Sequence, residues 1–169
     1  MANILNVVGD LSNPYSFITN YDRIKTSLLL VHQTNTQGVM LAGVALALSN
    51  QYPTLLPDYQ SYCASLKNTE ALLGSIFVHN VPSTNLCIVN LFGQHLTNNK
   101  RDTNYEAVYH SLEVLSYYID YVKTPTLAFP CGMSSGLAGG DWKIILCMIE
   151  QVFRNKPVTI YIVEYYKGI

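Results

Sequence analysis

The sequence predicts an α/β fold of three layers, α/β/α, around a mixed central sheet. Three observations predict it. Apolar runs of strand length alternate with stretches of helical period along the whole chain. The run "SLLLVHQ" (residues 27–33) is continuously apolar for most of its length, as in a strand covered on both faces. "GSIFVHNV" and "NLCIVNLF" are separated only by the turn residues "PSTN", so they form a hairpin and make the sheet mixed.

The elements follow in order. "NILNVV" (residues 3–8) is a first strand, stopped by Gly9 and Asp10. After the second strand, "GVALALSNQY" reads as a helix opening at Gly43 and stopped or broken at Pro53. A second helical stretch, "PDYQSYCASLKN", begins at Pro57, and the hairpin comes next. In "NYEAVYHSLEVLSYYIDYV" the residues Tyr105, Val108, Leu112, Leu115, Ile119 and Val122 recur at steps of three and four. That is an amphipathic helix with Glu106, His110, Glu113 and Asp120 toward water. "TLAFP" is a short buried strand. "DWKIILCMIEQVF" repeats the helical spacing through Trp142, Ile145, Ile149, Val152 and Phe153, and "VTIYIVEYY" is the last strand. No repeat, low-complexity tract or linker divides residues 1–169, so a single domain is expected.

Composition narrows the function classes. Of 169 residues, 49% are hydrophobic and 12% charged, which is a globular chain with a real core. A formal charge of -1 excludes a protein held on nucleic acid by bulk electrostatics, and "NNKRD" reads as a solvated loop. No apolar run approaches the roughly 18–20 residues that span a bilayer, so no membrane is expected. "MANILNVVGDLSN" lacks the basic start and apolar core of a secretory signal. Cys63, Cys87, Cys131 and Cys147 have no metal-ligand spacing and read as reduced thiols of a cytoplasmic protein, three of them within apolar segments. No metal is expected. The thirteen tyrosines fall mostly at core or core-edge positions, with Tyr15 a candidate for stacking on a base. His79, His95 and His110 read as surface or strand-end residues; His95, beside Gln94, is the site candidate among them.

In α/β sheets ligands sit where strands lead into helices. Two loops fit: "HQTNTQGVMLAGVA" (residues 32–45) and "PCGMSSGLAGGDW" (residues 130–142). Both carry glycine and both run straight into a helix start, where free amides and the helix dipole hold anions. Two such loops point to a ligand with two phosphates. Neither a GK[ST] signature nor GxGxxG occurs.

With "GDL" (residues 9–11), the first loop, "NLFGQ" (residues 90–94) and "SSGLAGGDW" (residues 134–142) in this order, the chain resembles the macro domains. The likeness is to the branch of yeast, bacteria and phages that processes ADP-ribose-1''-phosphate. It is also similar to the terminal ADP-ribose protein glycohydrolases, which share the architecture. The resemblance implies a small-molecule ADP-ribose derivative as ligand and no cofactor. It implies that Asp10, with Leu11 beside it, meets the adenine amino group and that Asn35 lies near the distal ribose. Gly38, Val39, Met40, Ala42, Gly43 and Val44 would form the first phosphate loop. Ser134, Ser135, Gly136, Leu137, Ala138 and Gly139 would form the second, with Gln94 between them. Asp141 and His32 match positions connected with catalysis in the phosphatase branch.

The chain departs from the pattern at four places. Leu41 stands where the family has a small residue, and Ser134 replaces a glycine. Gln94 stands where the glycohydrolases have their nucleophilic lysine, and Ala138 where they have their second acid, so a lysine adduct is not expected. The implied activity is removal of the terminal phosphate of ADP-ribose-1''-phosphate; the alternative is a module that captures ADP-ribose or a related nucleotide without turnover. Plain structural roles stand beside these: Asp141 as a helix cap, Asp10 as a strand-end turn residue, His32 as a satisfied core histidine, and Asn35 as a loop residue bonding its own backbone.

Overall fold

The computed structural model describes residues 1–97, 101–123 and 126–166. The apolar run after Ser27 becomes β2 (Leu28–Asn35), whose residues Leu28, Leu29, Leu30 and Val31 are wholly buried. Side chains alternate across a strand, so these four must feed two different cores. Leu28 and Leu30 pack with α1 (Gly43–Gln51) and α2 (Leu55–Ala64) on one side. Leu29 and Val31 pack with α3 (Tyr105–Val122) and α4 (Trp142–Phe153) on the other. The result is the expected three layers.

The six strands run in the order β1 (Asn3–Val8), β6 (Thr159–Glu164), β5 (Thr126–Pro130), β2, β4 (Leu86–Gln94) and β3 (Ile76–Asn80). Neighbours are parallel except β3 and β4, which form the antiparallel hairpin. On α3, Val108, Leu112, Leu115 and Ile119 are buried while Glu106, His110 and Asp120 face water. The strongly amphipathic α4 buries Ile145, Ile149 and Phe153.

Two readings of the sequence are corrected. α2 begins at Leu55, before Pro57, because proline's missing amide is harmless in a first helical turn. His79 is buried rather than peripheral. Its Nδ1 lies 3.0 Å from Asp58 Oδ2 and its Nε2 3.1 Å from Thr54 Oγ1, so the start of α2 clamps it from both sides. Seven of the thirteen tyrosines take core or core-edge positions as expected, Tyr59 fully buried and Tyr21, Tyr52, Tyr105, Tyr109, Tyr118 and Tyr161 half-buried, while Tyr117 and Tyr121 stand on the solvent face of α3. The four cysteines are free, and Cys147, within its apolar stretch, is exposed on α4, because a helix turns one side of such a stretch outward.

β2 and β5 are neighbours, yet β2 leads to α1 on one face of the sheet and β5 to α4 on the other. A crevice must open where adjacent strands send their chains to opposite faces. Among the described residues no helix is long and apolar enough to cross a membrane.

Candidate functional site

At that switch point lies a cleft of about 400 Å³, lined by the ends of β2, β4 and β5 and by the loops that follow β2 and β5. Among the described residues lining it there is no lysine or arginine, and Asp102 alone is acidic. The donors present for an anion are backbone amides and the neutral side chains of Gln33, Thr34, Asn35, Gln94 and Ser134.

The first wall is the loop after β2, and Asn35 organises it. Its Oδ1 accepts from the amides of Gln37 (3.0 Å) and Val39 (3.2 Å), and its Nδ2 donates to the Val39 carbonyl at 2.7 Å. The Tyr59 hydroxyl donates to the Asn35 carbonyl, and burial pushes that phenol's pKa up. Asn35 lines the cleft, but its side chain is engaged chiefly in bracing its own loop. The loop ends at α1, whose N-cap is Ala42, a residue with no side-chain acceptor. The amides of Gly43, Val44 and Ala45 therefore have no intrahelical partner and no cap. All three residues line the cleft at the positive end of the helix. Leu41 is 79% exposed, so its bulk stands at the rim.

The second wall is built differently. Ser134 has φ +69°, a left-handed conformation that costs a non-glycine residue about 1–2 kcal/mol. Tertiary bonds offset this. Its Oγ donates to Gln33 Oε1 at 2.5 Å, and its carbonyl accepts from Gly140 N (2.7 Å) and Thr103 Oγ1 (3.0 Å). A Cβ on Gly140 would lie 2.7 Å from that carbonyl, so only glycine fits. Turn bonds use the amides of Ser135 and Gly139, leaving those of Gly136, Leu137 and Ala138 out of the loop's internal bonding. All three line the cleft, and Leu137 is 87% exposed at its mouth.

Asp141 is the N-cap of α4. Its Oδ1 accepts from Lys143 N at 2.8 Å, and its own amide donates to the Tyr105 hydroxyl at 2.8 Å. It lies outside the cleft lining, as do Asp10, Leu11, Gly38, Ser135 and Gly139. Asp10 closes a turn at the end of β1, with Oδ1 accepting from Ser12 N (2.9 Å) and Ser12 Oγ (2.7 Å). Tyr15 packs edge-on against Tyr21, its hydroxyl donating to Asp22 at 2.6 Å. His95 bonds Thr36 Oγ1 at 2.6 Å and approaches Glu70 at 3.4 Å, facing a neighbouring hollow.

The floor is polar. His32 is buried, its Nε2 2.8 Å from Asn90 Oδ1, and burial lowers its pKa to about 4, leaving the ring neutral. Gln33 Nε2 donates to Gln94 Oε1 (2.7 Å) and Thr103 Oγ1 (3.1 Å), which ties the floor to the second wall.

The structure thus brings His32, Asn35, Val39, Met40, Ala42, Gly43, Val44, Gln94, Ser134, Gly136, Leu137 and Ala138 into one lining. Sequence reasoning missed Thr34, Gln33, Met133 and Asp102 there. Asp102 arrives because its amide and that of Thr103 both donate to the Ala138 carbonyl, at 3.0 and 3.1 Å. That pairing is non-local, and "NNKRD" alone carries no sign of it. Thr34 was legible: it follows His32 by two, on the same strand face.

A protein-family model described as Macro domain matches residues 31–148. The fold is similar to a protein of unknown function from Bacteroides thetaiotaomicron (TM-score 0.81, 24% identity, covering 96% of this chain and 98% of that one). It is similar also to a macrodomain protein from Streptomyces coelicolor (TM-score 0.74, 21% identity, 98% and 100% covered). A third likeness is to Thermosipho africanus DarTG in complex with ADP-ribose (TM-score 0.73, 18% identity, 99% of this chain and 43% of that one). No curated protein matches the chain. With the matched span covering well over half of its length, the chain belongs to the macro domain family.

Proposed function

We propose that this chain binds ADP-ribose in the cleft between β2 and β5, with the diphosphate held by amides from both walls. The observation that carries the reading is the uncapped start of α1 facing, across a cleft whose described lining has no lysine or arginine, the free amides of Gly136, Leu137 and Ala138. Hydrogen bonds to a charged group are worth about 1.5–3 kcal/mol each, enough to hold a diphosphate without lysine or arginine. Asp10 lies at the same end of the sheet, at the tip of β1, and its Oδ2 is free to accept from an adenine amino group. The ADP-ribose complex of the Thermosipho africanus protein supports this ligand class. Calorimetry tests it: ADP-ribose binds more tightly than AMP or NAD, and Asp10→Ala weakens it by about tenfold or more. Equal affinity of Asp10→Ala and wild type removes Asp10 from the site.

A second reading, hydrolysis of ADP-ribose-1''-phosphate, rests on Asp141 standing directly after the second loop. Water would attack phosphorus, the bond from phosphorus to the 1''-oxygen would break, and ADP-ribose would leave with that oxygen protonated. Asp141 would position or deprotonate the water. His32, neutral and buried, suits an acceptor better than an acid. Asp141→Asn keeps most of the capping ability. On this reading it lowers phosphate release at least about a hundredfold with ADP-ribose affinity unchanged. A wild-type protein that releases no phosphate leaves the binding reading standing alone.

A further inference from the structure

β1 is an outer strand, and among the described residues it pairs only with β6, in an unbroken parallel register from Asn3 to Val8. The amide of Asn3 donates to the Val158 carbonyl and that of Gly9 to the Glu164 carbonyl, both at 2.9 Å. Backbone groups alternate between the two edges of a strand, so the odd-numbered residues face β6. Ile4, Asn6 and Val8 therefore turn their N–H and C=O groups to the open edge. Outer strands are ordinarily blunted by a charged side chain, a proline or a bulge. "NILNVV" has none of the three, and Leu5 and Val8 are 38% and 57% exposed along it.

The strand is its own complement. Asn6 lies between two apolar pairs, Ile4 with Leu5 and Val7 with Val8. A two-fold axis at Asn6 sets the β1 strands of two copies antiparallel. Asn6 then faces Asn6, Ile4 faces Val8 and Leu5 faces Val7. The outward residues Ile4, Asn6 and Val8 meet outward residues of the other copy, and each such pair exchanges both N–H···O bonds. Side chains agree with the backbone. Ile4 and Val8 stand on the α3 and α4 face, Leu5 and Val7 on the α1 and α2 face, so apolar meets apolar on each. The two Asn6 amides meet on the axis, where each can donate and accept. An axis at Leu5 would instead set Ile4 and Val7 against asparagines.

Charge points the same way. Arg154 lies at the start of β1, its carbonyl accepting from the Ala2 amide at 3.4 Å, while Asp10 and Glu164 lie at the strand's end. The antiparallel arrangement brings the arginine end of each copy to the acidic end of the other. A parallel one sets like against like.

We propose that two copies of this chain join edge to edge through β1, about a two-fold axis at Asn6, and continue their sheets into one. One short strand per copy is at the low end of specific interfaces, so the dimer is weak, with a Kd of about micromolar order. The cleft lies further in, between β5 and β2, and stays open in both copies.

Sedimentation velocity of the full chain from about 1 to 500 µM tests this, and wild type should pass from monomer to dimer across that range. Asn6→Lys sets two ammonium groups against each other on the axis. It should stay monomeric and keep the wild-type thermal transition at low concentration. Asn6→Cys tests the register independently, because opposed Cα atoms about 5.5 Å apart are within reach of a disulfide. Mild oxidation should link this variant into dimers. Leu5→Cys, facing Val7, should link no more than wild type, which carries exposed Cys131 and Cys147 of its own. A wild type still monomeric at the highest concentration overturns the proposal and leaves the edge to a strand of a different protein. A dimer that survives Asn6→Lys, or equal linking of Asn6→Cys and Leu5→Cys, overturns it as well.

Discussion

The two glycine-bearing loops look alike in sequence and are built on opposite principles. The loop after β2 leads into α1, capped by an alanine that cannot cap, so three helix amides stay open to the cleft. The loop after β5 leads into α4, whose start is closed by Asp141 and lies outside the cleft lining. On the proposed reading the helix terminus serves as binding surface on one side, and on the other the loop itself does, held in shape by Ser134, Gln33, Thr103 and Gly140. A site can thus leave one helix without its cap, giving up about 1 kcal/mol of stability, where an anionic ligand is to complete it.

The comparison breaks most sharply at Ala42. Ala42→Asp gives α1 the same kind of cap that α4 has, and so places a carboxylate where phosphate would sit. Thermal and denaturant unfolding should show a gain of about 1 kcal/mol. ADP-ribose affinity by calorimetry should fall at least about a hundredfold, since two charges near 4 Å in a partly buried site repel by about 4 kcal/mol. A gain in stability without loss of affinity would mean that the α1 terminus does not hold the anion.

The floor between the loops gives the next largest effect. His32 titrates near 6.5 when unfolded and at about 4 when folded. As pH falls through 6.5 the unfolded chain takes the proton first, so stability drops between there and about 4. The difference of some 2.5 pKa units corresponds to about 3 kcal/mol. Denaturant unfolding from pH 7 to pH 4 should show this loss, and His32→Gln should flatten that part of the profile.

A smaller effect sharpens the second loop's role. A Cβ added at Gly136 meets nothing within 4 Å, so Gly136→Val should keep its cooperative thermal transition. The new side chain lies beside the free amides, and ADP-ribose affinity should fall about tenfold or more. Unfolding of this variant would make the loop a structural turn only. The smallest effect concerns Ser134. Ser134→Gly loses the bond to Gln33 but relieves the left-handed backbone, whereas Ser134→Ala loses the bond and keeps the strain. Alanine should therefore be less stable than glycine there by about 1 kcal/mol.

Local pattern made the fold readable. The continuous burial of β2, the hairpin around "PSTN" and the stripes of α3 and α4 each follow from periodicity. The two loops were readable for the same reason, as glycine runs between strand and helix. What escaped depends on pairings far apart in the chain. Gln33 reaches Ser134 across a separation of 101 residues, and Asp102 and Thr103 reach the Ala138 carbonyl. The difference between the two helix starts was half legible. Asp141 announces a cap and Ala42 announces none, yet only the fold shows that the uncapped terminus faces the cleft. His79 misled because the sequence cannot show that α2 folds back over β3.

The claim that α1 and α4 begin differently is tested most directly by the backbone amides themselves. In ¹H–¹⁵N spectra recorded as ADP-ribose is added, the amides of Gly43, Val44 and Ala45 and of Gly136, Leu137 and Ala138 should shift most. The Lys143 amide, already bonded to Asp141, should stay nearly still. Shifts concentrated at Trp142 and Lys143, with α1 silent, would contradict the account.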